Sequence, residues 1–250
     1  IGGGDSNSVY YSSWSAIGGG DSNSVFFSSW SVVGGGDSNS MSSASWSAIG
    51  GGRSNYVFSA PYATVAGGNS NYVSAYGSTI SGGMSNSAPD GNYAAVGGGY
   101  LNYVSAYAAT ISGGYSNSAS ASAVTIAGGY WNKASTYARY AAIGGGYSNS
   151  AAGEYAAVAG GKSNNAAGGS AAIGGGSNNH AVGGNATIAG GAWNSATMIS
   201  ASVTGGMRNA ASGEYATVGG GIDNTANSSS TTIAGGSNNY AFDSYATISG

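Results

Sequence analysis

Residues that could perform catalysis are few in this chain, and they lie far apart along it. His180 is the single histidine and cysteine is absent, so a His-based metal site, a nucleophile–His pair or a thiolate site lacks its members. Catalysis by a carboxylate pair needs two acids side by side, whereas the eight acidic residues stand singly along the sequence. They are Asp5, Asp21, Asp37, Asp90, Glu154, Glu214, Asp223 and Asp243. The sequence therefore predicts no enzyme activity and no cofactor.

Three of these acids share one local motif. Asp5, Asp21 and Asp37 each stand in Gly-Gly-Gly-Asp-Ser-Asn, one repeat apart. Like charges on neighbouring repeats repel each other, so a calcium ion held between them is an alternative to three solvated carboxylates. The nine-residue calcium β-rolls have a different spacing, so solvated carboxylates are the default expectation.

Charge and hydropathy exclude two classes of partner. Only 5% of the residues are charged and the formal net charge is −3. The five basic residues are scattered over four repeats, whereas nucleic-acid binding needs clustered Lys and Arg. No apolar run approaches the roughly 20 residues that a membrane-spanning helix requires. We therefore expect no nucleic-acid partner and no membrane span in this segment.

A short repeat sets the elements that must position every side chain. Ile or Val is followed by a small residue, Gly-Gly, two variable residues and Asn, and the pattern returns every 15 to 17 residues. Ala, Val or Met stands two residues after each Asn. A unit this short can bury its apolar side chains only against its neighbours. The repeat therefore predicts a stack of coils.

The predicted fold is all-β: a parallel β-solenoid or β-roll of about 16 coils with two short strands per coil. One strand is expected to run up to each Ile or Val, as over 155–158, and another to begin at each Asn. We expect one repeat array over residues 1–250, with 16-residue Trp-containing coils over 1–64 and mostly 15-residue coils over 65–250. Because the sequence starts in register and ends within a coil, we also expect an internal segment of a longer fibrous protein.

The Asn column is expected to form an internal ladder, in which each amide bonds to the next coil and to turn backbone. Gly-Gly is expected to supply positive φ angles at a tight corner. The ladder residues are Asn7, Asn23, Asn39, Asn55, Asn71, Asn86, Asn102, Asn117, Asn132, Asn149, Asn164, Asn179, Asn194, Asn209, Asn224 and Asn239.

Two sets of aromatic residues are candidates for contact with other molecules. The first stands three residues before Ile or Val, and alternation along a strand directs it outward. These side chains are expected to pack between the chains of an oligomer, to pack against Gly-rich surface of the same chain, or to bind a partner. It comprises Trp14, Trp30, Trp46, Tyr62, Tyr93, Tyr140, Tyr155, Tyr215 and Tyr245. The second set lies at turn tips, which face outward in almost any packing. It comprises Tyr100, Tyr115, Tyr130, Trp131, Tyr147 and Trp193.

Units such as GEYAAVAGG at 153–161 and GEYATVGGG at 213–221, each followed by x-x-Asn-x-Ala, resemble the head repeats of trimeric autotransporter adhesins, the YadA-like family. The resemblance covers the whole chain and is strongest from about Ile143 onward. It implies a left-handed parallel β-roll, a homotrimer around a common axis and a surface used for adhesion. The coils are longer than those of the family, and Trp14, Trp30 and Trp46 stand where the family has small residues.

The resulting functional hypothesis is a structural and adhesive segment of a bacterial cell-surface fibre, extracellular and without catalysis. Its expected partners are copies of itself, as a homotrimer or as filament neighbours, and a host surface protein or glycan. Two alternatives stay open: a self-assembling extracellular filament, or a phage-type fibre. A third is ice binding, because Thr precedes Ile or Val in half of the coils.

Overall fold

The computed structural model describes residues 1–250 and contains 32 short strands, two in each coil, with no helix. It accordingly offers no helix that is long and apolar enough to cross a membrane. The chain divides into two compact units, Ile1–Ala123 and Val124–Gly250.

The first unit holds strands β1 to β15. They are β1 Ser8–Tyr10, β2 Ala16–Ile17, β3 Ser24–Phe26, β4 Val32–Val33, β5 Ser40–Ser42, β6 Ala48–Ile49, β7 Tyr56–Phe58, β8 Thr64–Val65, β9 Tyr72–Val73, β10 Thr79–Ile80, β11 Ser87–Ala88, β12 Ala95–Val96, β13 Tyr103–Val104, β14 Thr110–Ile111 and β15 Ser118–Ala119.

The second unit holds strands β16 to β32. They are β16 Thr125–Ile126, β17 Lys133–Ala134, β18 Ala142–Ile143, β19 Ser150–Ala151, β20 Ala157–Val158, β21 Asn165–Ala166, β22 Ala172–Ile173, β23 His180–Ala181, β24 Thr187–Ile188, β25 Ser195–Ala196, β26 Ser202–Val203, β27 Ala210–Ala211, β28 Thr217–Val218, β29 Thr225–Ala226, β30 Thr232–Ile233, β31 Tyr240–Ala241 and β32 Thr247–Ile248.

In both units, strands pair in parallel with the strands one coil away. Odd-numbered strands form one sheet and even-numbered strands form the other. The register keeps the repeat in step: Ala157 pairs with Ala142 and Ala172, and Val158 pairs with Ile143 and Ile173. The prediction of an all-β parallel β-solenoid of about 16 coils is confirmed.

The core is built from the columns that the repeat fixes. Val158, Ala156, Asn164 and Ala166 are each no more than 1% exposed, and their equivalents in neighbouring coils are buried in the same way. Small side chains are needed here because the two sheets of one coil are joined by short turns on both sides.

The strands are shorter than predicted. The even-numbered strands contain only the last two residues of the expected segment, as in β20. Tyr155 lies outside the strand in a turn, with a φ of 58°. A left-handed residue at this point turns the backbone into the strand within one short coil. The odd-numbered strands begin one residue after the Asn rather than at it.

The Gly-Gly corner requires glycine for two reasons. The second glycine of each pair has a positive φ, which is 92° at Gly161. A Cβ placed there would lie 2.2 Å from the carbonyl oxygen of Gly176 in the next coil. Neighbouring coils therefore approach each other too closely at this corner for any side chain.

A third ladder, which the sequence did not predict, runs along the turn tips. The residue two before each Asn pairs in parallel with its equivalent one coil away, as in the series Lys162, Ser177, Ala192 and Met207. Each coil thus contributes two strands and one bridge, and the tip residues are held in register like the strand residues.

Candidate functional site

The Asn column lies inside the coils. Residues from Asn23 to Asn224 in this column are buried, and Asn7 and Asn239 are half-buried. The Asn164 amide nitrogen donates to the carbonyl oxygens of Gly160 (2.9 Å) and Gly176 (3.0 Å). Its Oδ1 accepts from the backbone N–H of Asn179 at 3.1 Å. The amide nitrogen and oxygen of these side chains form hydrogen bonds within the chain. They therefore hold neighbouring coils together and offer no exposed binding site.

The three aspartates of the N-terminal coils are neighbours in the tip ladder. Asp5 pairs with Asp21, and Asp21 with Asp37. Asp21 and Asp37 accept hydrogen bonds from the hydroxyls of the serines that follow them, and Asp37 also lies 3.3 Å from the Arg53 guanidinium. No group of three or more His, Cys, Asp or Glu residues is arranged to hold a metal ion.

The aromatic column before Ile or Val lies on the surface. All nine of its predicted members are exposed, and Trp14 and Tyr245 are the most exposed at 79%. Their φ angles lie between 58° and 64°, because each occupies the turn that precedes a strand. The cross-coil bond from the Trp30 N–H to the Ser13 carbonyl (2.9 Å) helps to hold this conformation.

In the first unit these rings pack on one another. The Trp14 and Trp30 ring centroids are 5.3 Å apart, those of Trp30 and Trp46 are 5.1 Å apart, and the planes are within 12° of parallel. Trp46 and Tyr62 continue the stack at 6.3 Å. Because each inner ring is sandwiched by its neighbours, it presents mainly its edge to solvent. In the second unit Tyr140 and Tyr155 stack in the same way at 5.0 Å.

The structure adds two residues to this column that sequence reasoning missed. Tyr76 and Tyr107 extend it through edge-to-face contacts with Tyr93 at 5.6 and 5.8 Å. The signal was a Tyr immediately before the column position in coils where that position is Gly77 or Ala108. Partial desolvation, followed by the charges of neighbouring tyrosines, raises the pKa of Tyr76 above its usual value.

A second aromatic cluster in the first unit was also missed. Tyr10 stacks on Phe26 at 5.5 Å and Tyr11 stacks on Phe27 at 5.1 Å. Two consecutive aromatic residues that recur one 16-residue repeat apart were the available signal. Both pairs lie at the end of the odd-numbered strands, on the surface.

The turn-tip aromatics divide into two kinds. Tyr100, Tyr115 and Tyr130 are only half-exposed and, like Tyr147, occupy positions of the tip ladder. Trp131, Tyr147 and Trp193 are exposed, and Trp193 is the most open at 60%. Tyr147 contacts Trp131 at 5.7 Å between ring centroids, and Lys162 lies 5.8 Å above the Tyr147 ring. This cluster combines aromatic surface with a cation.

A second ion pair on the tips joins Arg208 and Asp223. Arg208 donates to both carboxylate oxygens of Asp223, at 2.6 and 2.7 Å. This bidentate hydrogen bonding from Arg208 is the main reason that the pKa of Asp223 is lowered. The two residues are separated by one 15-residue coil, a spacing that would have revealed the pair.

The outer face of the even-numbered strands has an apolar stretch over residues 142–174. A shallow groove of about 430 Å³ there is lined by Ala142, Gly144, Ala157, Val158, Ala159, Ala172, Ile173 and Gly174. Thr positions on this face are interrupted: Thr125 is followed by three Ala residues before Thr187. The face therefore suits close contact with another apolar surface better than it suits a regular hydroxyl array.

Comparison with protein-family models finds no match for this chain. A search of curated proteins finds no sequence with significant similarity.

Proposed function

We propose that this chain is a structural and adhesive segment of a bacterial cell-surface fibre, similar to the heads of trimeric autotransporter adhesins. The observation that carries the proposal is the set of exposed aromatic side chains held at fixed positions by hydrogen-bonded coils. Large aromatic rings are enriched at interfaces because they bury much apolar area with few rotatable bonds. Trp131, Tyr147 and Trp193 at the tips are the side chains best placed to contact another surface.

Assembly as a homotrimer is the second part of the proposal. The Ala- and Gly-lined groove on the outer face of the even-numbered strands supports it, because small side chains allow another backbone to approach closely. Association of such faces would bury apolar surface. Each Å² removed from water would contribute about 25 cal/mol of favourable free energy.

Light scattering on the soluble 250-residue chain tests the assembly. We expect a mass of three times 23.9 kDa. A stable monomer would contradict the trimer, and growth without a limiting size would favour the filament alternative. Thermal hysteresis at high protein concentration would favour ice binding instead.

Bead adhesion tests the adhesive role. Beads coated with the chain should attach to epithelial cells more strongly than albumin-coated beads, and the double variant Trp131→Ala, Trp193→Ala should attach less. Equal attachment of chain-coated and albumin-coated beads would contradict adhesion whatever the oligomeric state.

A further inference from the structure

One coil differs from all others in length. Seventeen residues separate Ile126 from Ile143, whereas fifteen separate Ile143 from Val158. The N–H of Ala141 donates to the Ala138 carbonyl just as the N–H of Ala156 donates to that of Gly153, so these pairs are equivalent.

The two extra residues therefore lie between Ala134 and Ala138, both of which are fully buried. The chain absorbs them by bulging outward at this corner. Thr136 and Tyr137 are exposed, and Tyr137 at 84% is the most exposed of the large hydrophobic side chains.

Two oppositely charged side chains flank this bulge. Arg139 and Glu154 hold equivalent places in adjacent coils, since the N–H of Tyr155 donates to the Arg139 carbonyl at 2.8 Å. The equivalent residue of the next coil is Gly169, which has no side chain to cover Glu154. The two ion pairs of the structure involve other residues, so both charged groups keep their hydrogen-bonding capacity for a ligand.

Thr136, Tyr137, Arg139 and Glu154 together line a cleft of about 500 Å³. The residues that follow Arg139 and Glu154 in the sequence, Tyr140 and Tyr155, stack on each other with ring centroids 5.0 Å apart. A cleft of this size can hold a small ligand of one or two rings.

The cleft combines groups that complement a sugar ring. A carboxylate accepts hydrogen bonds from two neighbouring hydroxyls, a guanidinium donates to hydroxyl oxygens, and a threonine hydroxyl does either. An exposed tyrosine ring, with no aromatic neighbour stacked on it, can cover the apolar C–H face of a pyranose. The opposite charges of Arg139 and Glu154 balance, which favours an uncharged ligand.

We propose that this cleft binds a neutral pyranose, with Glu154 and Arg139 bonding its hydroxyls and Tyr137 covering its C–H face. The inference deepens the proposed adhesive function and rests on it. Binding by one open site is expected to be weak, with a Kd on the order of 1 mM, and repetition of the site in an oligomer would strengthen it through avidity.

Saturation-transfer NMR on the 250-residue chain tests the proposal, with methyl glucoside, methyl galactoside and methyl mannoside as probes. At least one should receive saturation at its ring C–H protons. Tyr137→Ala and Glu154→Gln should each weaken its binding at least tenfold. Deletion of Thr136 and Tyr137, which restores a 15-residue coil, should abolish binding while circular dichroism stays unchanged.

Glu214→Gln is the matched control, because Gly213-Glu214-Tyr215 repeats Gly153-Glu154-Tyr155 in a region without the insertion. It should leave binding unchanged. The proposal is overturned if none of the three probes binds, if Glu214→Gln weakens binding as much as Glu154→Gln, or if N-acetylneuraminic acid binds better than every neutral probe. Bead adhesion and mass are measured separately, so loss of the sugar site would leave the proposed function standing.

Discussion

Replacing one buried Asn should destabilise the coils around it far more than replacing its neighbour in the sequence. Asn164 and Asn165 are adjacent, but Asn164 is fully buried in the ladder, whereas Asn165 lies on the outer face of β21 and is half-buried. The same change, Asn to Ala, at both positions thus isolates the contribution of the ladder.

The expected loss follows from the bonds that Asn164 makes. Asn164→Ala removes two bonds to carbonyls, each worth about 1 kcal/mol net. The Gly176 carbonyl keeps a bond from the Lys162 N–H. The buried N–H of Asn179, however, loses the Oδ1 that it bonds, which costs about 1–3 kcal/mol more. We expect a total of about 3–5 kcal/mol for Asn164→Ala and within about 0.5 kcal/mol for Asn165→Ala.

Hydrogen exchange read by mass spectrometry is the suitable assay, because stability in a solenoid is a sum of neighbour terms and coils open locally. At about 1.4 kcal/mol per tenfold, Asn164→Ala should speed exchange in the coils around residues 158–188 by at least about 100-fold. Similar acceleration in both variants would refute the role assigned to the ladder.

An aspartate at the same position adds a test of charge. Asn164→Asp keeps the acceptor for Asn179 but places carboxylate oxygen against the carbonyls of Gly160 and Gly176. Burial and these carbonyls should raise the folded-state pKa of the new carboxyl above its unfolded value. The variant should therefore be most stable below the unfolded pKa of about 3.9 and lose stability as pH rises through the folded-state pKa. A variant equally stable at pH 3 and pH 7 would contradict this environment.

Three further predictions concern the corner, the aromatic column and the tips. Gly161→Ala places a Cβ 2.2 Å from the Gly176 oxygen at a residue with a φ of 92°, and it should lower the free energy of unfolding by at least about 3 kcal/mol. Gly160→Ala should be tolerated, because no atom lies within 4 Å of its Cβ. Equal urea midpoints for the two variants would be inconsistent with the close approach of the coils. Trp30→Ala removes two ring contacts and should lower the free energy of unfolding by about 1–3 kcal/mol. Trp193 has a similar φ of 61° but no stacked ring, so Trp193→Ala should lower it by less than about 0.5 kcal/mol. Comparable shifts in melting temperature would argue against stacking as a source of stability. The pKa of Asp223 is lowered, so the pair with Arg208 should stabilise the fold above the unfolded-state pKa of Asp223 and lose this effect as pH falls through the folded-state value; Asp223→Asn should remove that part of the pH dependence in acid titrations followed by circular dichroism.

The repeat made the coil and its buried columns predictable. The Val158 column is always Ile or Val and the Asn164 column is always Asn, and such constancy from coil to coil indicates that each copy meets the same surroundings. The sequence predicted the parallel β-solenoid for this reason, although it placed the strand starts one or two residues too early in the chain.

The left-handed turns could not be predicted in the same way. Trp30 and Tyr155 are residue types that rarely adopt positive φ, and nothing in their spacing shows that they do so here. The conformation is supported by hydrogen bonds to the preceding coil, such as that from Tyr155 to Arg139. These hydrogen bonds exist only between stacked coils. The stacking also determines which faces of the aromatic rings stay exposed.

The outward bulge at Thr136 and Tyr137 shows where this fold accepts changes in length. From Ile or Val to Asn the count never varies, whereas from Asn to the next Ile or Val it is nine, ten or eleven residues. The segment from Ile or Val to Asn therefore has a constant length, whereas the corner after the odd-numbered strands accepts additional residues. Foreign peptides inserted there, for example between Ser135 and Thr136, would be displayed at one-coil spacing without shifting the ladders, which makes the solenoid a scaffold for presenting loops in chosen order and number.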